Sequence, residues 1–464
     1  MATEPASNKA ASLVGQEYEV EVGPVAHGGH CVARTPEGRV LFVRHTLPGE
    51  RVLARVTEGR EDSRYLRADA VEVFEAARDR VPAPCPFSGP GRCGGCDWQH
   101  VKPGGQRRLK GEVLAEQLAQ LAGLTPEQAG WDGTVEPAPG DKVPAGEVPA
   151  WRTRVSYAVD EQGRAGLRRH RSHEVEPVDR CLIAAEGVTE LGIERREWPG
   201  MASIDAVAAT GSHDRLVVLT PRPERRLPLV ELDRPVSVMR AEPANGRGGD
   251  QPVHRVHGRA FVRERADDHT WRVGGGGFWQ GHTQAAEVLV DAVMRGLIPR
   301  RGETALDLYC GVGLFAGALA QRLGERGAVV GIEASKRAVR DAQHNLSGYP
   351  RVRVRVEHGP VAKVLPATGI TAADLVVLDP PRAGAGGAVV RRVAGLGARR
   401  IAYVACDPAA LARDLRHFAE AGYVPRFLRA FDLFPMTHHL ECVAVLEPVA
   451  KRRRGAEATD AERA

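Results

Sequence analysis

From residue 18 to about 77, apolar and polar positions alternate in short runs, at 18–22, 39–43, 51–56 and 68–74. A period of two marks half-buried strands. Gly28-Gly29, Glu37-Gly38 and Pro48-Gly49 supply turns between the runs. The pattern predicts about five short strands in a small OB-like β-barrel. A helix is expected from 106 to about 121, followed by a Pro-, Gly- and acid-rich surface linker over 124–150. A second β-rich region spans 152 to about 262, with a loose stretch near 245–251. Beyond about 275 the pattern changes. Apolar runs at 304–309, 328–333, 351–357, 374–378, 400–405 and 442–446 read as strands, with helices between them at 334–346 and 408–421. Strand alternating with helix predicts a mostly parallel sheet covered on both faces. The expected fold class is therefore α/β: an N-terminal OB-like β-barrel, a central β-rich domain and a C-terminal Rossmann-like doubly wound domain. The expected boundaries are a disordered start at 1–15, the barrel at 16–78, the central domain at 79–270, the doubly wound domain at 271–448 and a basic, polar tail at 449–464.

Composition narrows the class. With 43% hydrophobic and 27% charged residues in 464, the chain is neither wholly disordered nor fibrous. No apolar run nears the ~18 residues of a membrane span, and the start lacks the apolar core of a secretory signal. A cytoplasmic protein with no membrane partner is expected. Lys and Arg number 64 against 59 Asp and Glu, so the net charge of +5 permits a polyanionic partner without demanding one. The eight cysteines are unevenly placed: Cys85, Cys93 and Cys96 crowd together, whereas the others stand singly. In a reducing compartment such a cluster points to metal binding or catalysis before disulfides.

Several segments carry candidate chemistry. Residues 305–320, ALDLYCGVGLFAGALA, read strand, Gly-rich turn, helix, so Gly311 and Gly313 allow close backbone approach to a ligand. Glu333 ends the next strand twenty residues beyond Gly313, where an acid accepts hydrogen bonds from ribose hydroxyls. Dinucleotide and S-adenosylmethionine sites share this signal. Asp379 follows the apolar ADLVVL, at the strand end where open α/β sheets bind ligands. Cys406 ends another strand, with Asp407 suited to cap the next helix and Pro408 to open it. The helix dipole there favours thiolate, and the Asp407 charge partly opposes it. Glu441 precedes the last strand and reaches the same crevice as a proton acceptor. His438 and His439, as strand-like neighbours, are expected to face opposite ways, which suits no shared metal. A basic run at Arg164, Arg168, Arg169, His170, Arg171 and His173 offers salt-dependent phosphate contact.

Taken together, these segments resemble the RNA 5-methyluridine (uracil-C5) methyltransferase family, which uses S-adenosylmethionine. The resemblance rests on GQEYEVEVGPVAHGGHCVAR with LPGERV, on CPFSGPGRCGGCDWQH with Cys181, on GGFWQ with DLYCGVGLFA, GIEAS and DPPRAG, and on YVACDPAALARDL with FPMTHHLE. It implies a TRAM domain at the barrel. It makes Cys406 the nucleophile and Glu441 the proton acceptor, assigns cofactor contacts to Gln280, Tyr309, Glu333 and Asp379, and places a [4Fe–4S] cluster on Cys85, Cys93, Cys96 and Cys181. Four thiolates also suit zinc, which stays open as the alternative. The implied partner is RNA, ribosomal RNA favoured over transfer RNA because the family's best-known transfer-RNA members in enteric bacteria lack the cluster; a monomer is expected. This chain departs from the family pattern with Asp407 in place of Asn, Leu314 in place of a polar residue, and seven residues between Cys85 and Cys93. Two alternatives remain at this point: a nicotinamide-dependent oxidoreductase with an iron–sulfur centre, since Gly311-x-Gly313-x-x-Ala316 fits that fingerprint, and a non-catalytic RNA-binding protein on the same fold.

Overall fold

Alternation in the first segment does produce a barrel-like sheet. In the computed structural model, which describes residues 10–144, 146–228, 231–242 and 251–449, five strands pair in the order Glu17–Glu21, Arg51–Glu58, Tyr65–Glu75, Val40–Arg44, Cys31–Arg34. Their alternate residues, Leu41, Val43, Val52, Ala54 and Leu66 among them, form a core of their own. The described part of the expected disordered start is ordered against this barrel. Leu13 N–H donates to Gly59 O at 3.1 Å, Gly15 N–H donates to Val56 O at 2.9 Å, and the Leu13 side chain packs on the core. Residues 1–9, the loose stretch at 245–250 and the basic tail lie outside the described residues.

The middle of the chain builds a seven-stranded mixed sheet between the strands Val253–His257 and Val175–Pro177. A hairpin, Phe261–Ala266 with His269–Gly274, then leads into the doubly wound unit. Its Trp271 is fully buried against helix Leu314–Leu323. A Cβ at Gly317 would fall 2.3 Å from the Trp271 ring, so this contact requires glycine.

The doubly wound sheet has eight strands, in the order Arg353–His358, Ala328–Glu333, Thr304–Leu308, Leu375–Leu378, Arg400–Ala405, Glu441–Pro448, Tyr423–Asp432, Val135–Pro137. The first five are parallel, and Glu441–Pro448 runs antiparallel to both of its neighbours. Strand order reverses between Thr304–Leu308 and Leu375–Leu378, and the crevice beyond their carboxyl ends is where this architecture binds ligands.

The eighth strand corrects the linker expected at 124–150. Ala129, Trp131 and Val135 are buried, and Val135 pairs in parallel with Ala430. Pro and Gly in this stretch report turns, not exposure, and the apolar residues between them are held by the sheet. No helix among the described residues is long and apolar enough to cross a membrane.

Candidate active site

The Gly-rich turn is built from residues in the left-handed region. Tyr309 has φ 65°, Gly311 55° and Gly313 94°, the last capping helix Leu314–Leu323. These angles fold the chain back so that the helix N-terminus faces the crevice, as an anionic or polar ligand requires. Glu333 reaches across from the next strand: its Oε2 accepts from Gly311 N–H at 3.0 Å and its Oε1 from Ser335 N–H at 2.8 Å. Each oxygen keeps a lone pair for a ligand hydroxyl. Beneath the turn sits Asp307, which the sequence reading passed over; the available signal was a lone acid in an apolar strand. Its Oδ2 accepts from Ala316 N–H at 2.7 Å, while its buried Oδ1 has no hydrogen-bond partner. Burial, reinforced by Asp379 and Glu333, pushes this carboxyl well above its ordinary value.

Two more acids share the crevice. Burial, then the Glu333 charge, pushes Asp379 up to about 7. Burial and Asp379 push Glu441 well above the ordinary carboxylate range, against the opposing pull of Arg382. Asp307, Glu333, Asp379 and Glu441 are thus close enough to raise one another, a setting that favours a cationic ligand over a neutral one. That chemistry fits a sulfonium cofactor. Gln280 stands apart: it is half-buried beside Trp279, and no hydrogen bond links it to the turn or to Cys406 among the described residues.

Cys406 emerges where strand Arg400–Ala405 meets helix Pro408–Glu420. As expected, Asp407 caps this helix, its Oδ1 accepting from Ala410 N–H at 2.7 Å, and Pro408 opens it. The last paired rung joins Ala405 to Cys442. Cys406 follows Ala405 and Glu441 precedes Cys442, so the two flank the end of this antiparallel ladder. Burial and then Glu441 push the Cys406 thiol up to about 11, with Arg382 acting in the other direction. Burial beside carboxylates thus opposes the thiolate that the helix terminus favours.

Above Cys406 lies a cavity of about 160 Å³. Its wall includes the barrel loop His27–Gly29, which the sequence marks only as a turn, together with Trp98 and the loop 438–440. His438 and His439 do not face opposite ways; their ring centroids are 4.1 Å apart. They sit in a turn, with Met436 at φ 68°, where strand alternation does not apply. His438 Nδ1 lies 2.6 Å from Asp97 Oδ2. Burial, then His438 and Arg382, pushes His439 down to about 3, so its ring is neutral and Nε2 accepts from Arg382 Nη2 at 3.4 Å.

Cys85, Cys93, Cys96 and Cys181 gather near one another. Burial raises Cys93, Cys96 and Cys181, the last up to about 11, and each also feels the charge of at least one other cysteine of the four. Gly95 N–H donates to Cys93 Sγ at 3.4 Å, and a Cβ at Gly94 would lie 2.7 Å from His170 Cα. Among the described residues no group of three or more His, Cys, Asp or Glu is placed to hold a metal ion, so the expected [4Fe–4S] site is not shown. The basic run is largely neutralised within the fold: Arg164 pairs with Asp160, Arg169 with Glu174 and Glu176, and Arg171 with Glu58.

A TRAM domain model matches residues 11–71, and a tRNA (Uracil-5-)-methyltransferase model matches 370–449, the stretch that holds Asp379, Cys406 and Glu441. A protein-L-isoaspartate(D-aspartate) O-methyltransferase model matches 254–363, which includes the Gly-rich turn. A relative from Streptomyces avermitilis, described as an uncharacterized RNA methyltransferase, is 73% identical over 438 residues, covering 94% of this chain and 100% of its own. The chain belongs to the uracil-5 RNA methyltransferase family. This methyltransferase is also 34% identical over 457 residues to an uncharacterized RNA methyltransferase of Bifidobacterium longum, across 95% of this chain and 99% of that one. Among solved structures, the Pyrococcus abyssi tRNA (uracil-54, C5)-methyltransferase in complex with S-adenosyl-L-homocysteine shares its fold, at a TM-score of 0.67 and 22% identity. That match covers 92% of this chain and 100% of the other. Membership of this family displaces the oxidoreductase alternative.

Proposed function

We propose that the enzyme transfers the methyl group of S-adenosylmethionine to C5 of a uridine in RNA, with ribosomal RNA as the expected substrate. The observation that carries this reading is Cys406 and Glu441 flanking the Ala405–Cys442 rung at one end of the sheet, with Glu441 and Asp379 near enough to act on the thiol. S-adenosylmethionine, when bound, supplies an electrophilic methyl carbon on a cationic sulfur. Glu333 and Asp379 are the residues to hold it, with Tyr309 in the turn and Gln280 completing the proposed set.

The uracil C5 is a poor nucleophile until a thiolate adds at C6. Cys406 loses its proton to solvent, its Sγ bonds C6, and the C5–C6 π pair moves onto C5. C5 then bonds the methyl carbon as the sulfur–methyl bond breaks, leaving S-adenosylhomocysteine. Glu441 takes the C5 proton, the C5–C6 double bond reforms, and Cys406 leaves as thiolate. A base inside a stack cannot reach this cavity, so the target uridine is flipped or single-stranded.

RNA carrying 5-fluorouridine tests the mechanism. With no C5 proton to remove, a cofactor-dependent covalent adduct should persist for the wild type and be absent for Cys406→Ala. An adduct with Cys406→Ala overturns it by placing the nucleophile elsewhere, and none with the wild type overturns it in favour of a non-catalytic RNA-binding protein. Mapping 5-methyluridine in RNA from cells lacking the protein decides between ribosomal and transfer RNA.

The reading extends to a [4Fe–4S] cluster on Cys85, Cys93, Cys96 and Cys181. Cys93, Cys96 and Cys181, whose ionisation burial opposes, gather with Cys85 and call for a compensating cation, and Gly94 and Gly95 let the backbone wrap it closely. Iron and sulfide analysis of anaerobically purified protein checks this, and zinc in their place refutes it. The same reading makes the protein a cytoplasmic monomer.

A further inference from the structure

The barrel loop contacts the catalytic unit at one charged point. His27 Nε2 lies 3.0 Å from Asp407 Oδ2, while Asp407 Oδ1 caps the helix that follows the nucleophile. The loop is held in place independently of this pair. Gly28 and Gly29 have φ 99° and 81°, Trp98 Nε1–H donates to Gly29 O at 3.0 Å, and a Cβ on Gly29 would fall 2.5 Å from His438 Cβ. His27 is therefore presented to Asp407 by a fixed backbone, 380 residues away in sequence.

We propose that His27 is a positioning residue for the methyltransferase reaction: its imidazolium neutralises Asp407, the carboxylate beside the nucleophile, so that the N-terminal barrel lowers the barrier to forming the Cys406 thiolate. This rests on the reading of Cys406 as nucleophile. Asp407 adds a negative charge next to a sulfur that must become negative, and it is one of the groups raising the Cys406 thiol. A cation on the far oxygen of the same carboxylate offsets that charge without disturbing the helix cap. The hydrogen bond to Asp407 raises His27 above the ordinary imidazole value. Burial works against a low Asp407 value, but the His27 bond still holds Asp407 below the usual carboxylate range.

The other titratable groups facing the pair are Arg413 on helix Pro408–Glu420, Glu116 on helix Pro103–Gln117 and, on the loop itself, His30, which burial pushes down to about 4 and so leaves neutral. Those facing Cys406 are Glu441, Arg382 and Asp379. None of them is altered by the variants below.

The experiment reads alkylation of Cys406 by iodoacetamide across pH in the full-length protein, with each cysteine followed by peptide mass spectrometry. His27→Gln should slow Cys406 about threefold to tenfold near neutrality, since it leaves Asp407 uncompensated; solvent at this exposed pair sets the low end of that range. At alkaline pH, where wild-type His27 has lost its proton, the two should converge. Asp407→Asn, which keeps the cap, should match the wild type near neutrality and outpace it at alkaline pH. Adding His27→Gln to Asp407→Asn should change nothing. Equal rates for the wild type and His27→Gln at every pH overturn the proposal, as does the same slowing in the Asp407→Asn background. A variant that merely unfolds exposes all its cysteines and reacts faster, the opposite sign. Because methyl transfer is not the readout, a failed 5-fluorouridine adduct with an intact alkylation pattern removes the reaction and leaves the charge coupling standing.

Discussion

Lys110 is wholly buried with its Nζ 2.5 Å from Asp432 Oδ1 and 3.1 Å from the Phe434 carbonyl oxygen. The pair fastens helix Pro103–Gln117 to strand Tyr423–Asp432, and so to the chain leading into Glu441. Burial pulls the Lys110 ammonium down and Asp432 supports it. Lys110→Met removes one partner and strands a carboxylate in the core, which costs about 3–5 kcal/mol. A clear fall in the thermal midpoint should follow; an unchanged melting curve refutes the structural role.

Glu441→Gln keeps the shape of the rung and removes the proton acceptor. Turnover should fall by roughly 10²–10⁴-fold. Unlike Cys406→Ala, this variant should still add to C6 and take up the methyl group, so a methylated protein–RNA adduct accumulates on unmodified substrate. Labelled methyl migrating with protein on a denaturing gel checks it. Full loss of activity without adduct places Glu441 earlier in the reaction.

Asp379 gives a pH dependence with a definite sign. Its carboxyl titrates near about 7, so it is charged above that value and neutral below it. Binding of cationic S-adenosylmethionine should weaken as pH falls through about 7, and calorimetry on Asp379→Asn should show a flatter profile. Stability of the ligand-free protein runs the other way. A carboxyl raised by folding contributes stability that is complete below the ordinary carboxylate value and lost as pH climbs to about 7. Ligand affinity independent of pH between 6 and 8 contradicts the assignment.

Gly29→Ala places a methyl group 2.5 Å from His438 Cβ at φ 81°. The barrel loop must then withdraw from the cavity wall. A stability loss of about 1–3 kcal/mol is expected, with a drop in methyl transfer larger than the loss of folded protein explains. Activity at the wild-type level per folded molecule shows that the loop position is irrelevant to catalysis.

What sequence could show followed from local pattern. The turn at Gly311 and Gly313, the cap at Asp407 and the approach of Cys406 to Glu441 all follow from where strands end, and hydrophobic periodicity locates strand ends. The relationships that depend on distant partners were not legible. His27 with Asp407 and Lys110 with Asp432 join residues hundreds of positions apart, and nothing in either segment names the partner. The electrostatics of Cys406 were hidden for a similar reason: a helix terminus can be read locally, whereas Asp379 and Glu441 become neighbours only through the sheet.

The strand Val135–Pro137 has a further consequence. Without it, Tyr423–Asp432 would present a free row of backbone donors and acceptors at the margin of the catalytic sheet, a template for pairing with another chain. A fragment cut at 271 to isolate the catalytic unit would carry that open margin, and it would also lose the lysine that seats Asp432. Boundaries drawn along the sequence therefore do not coincide with separable parts of the molecule. The segment between barrel and central sheet is a component of the catalytic sheet, supplied from the other side of the chain.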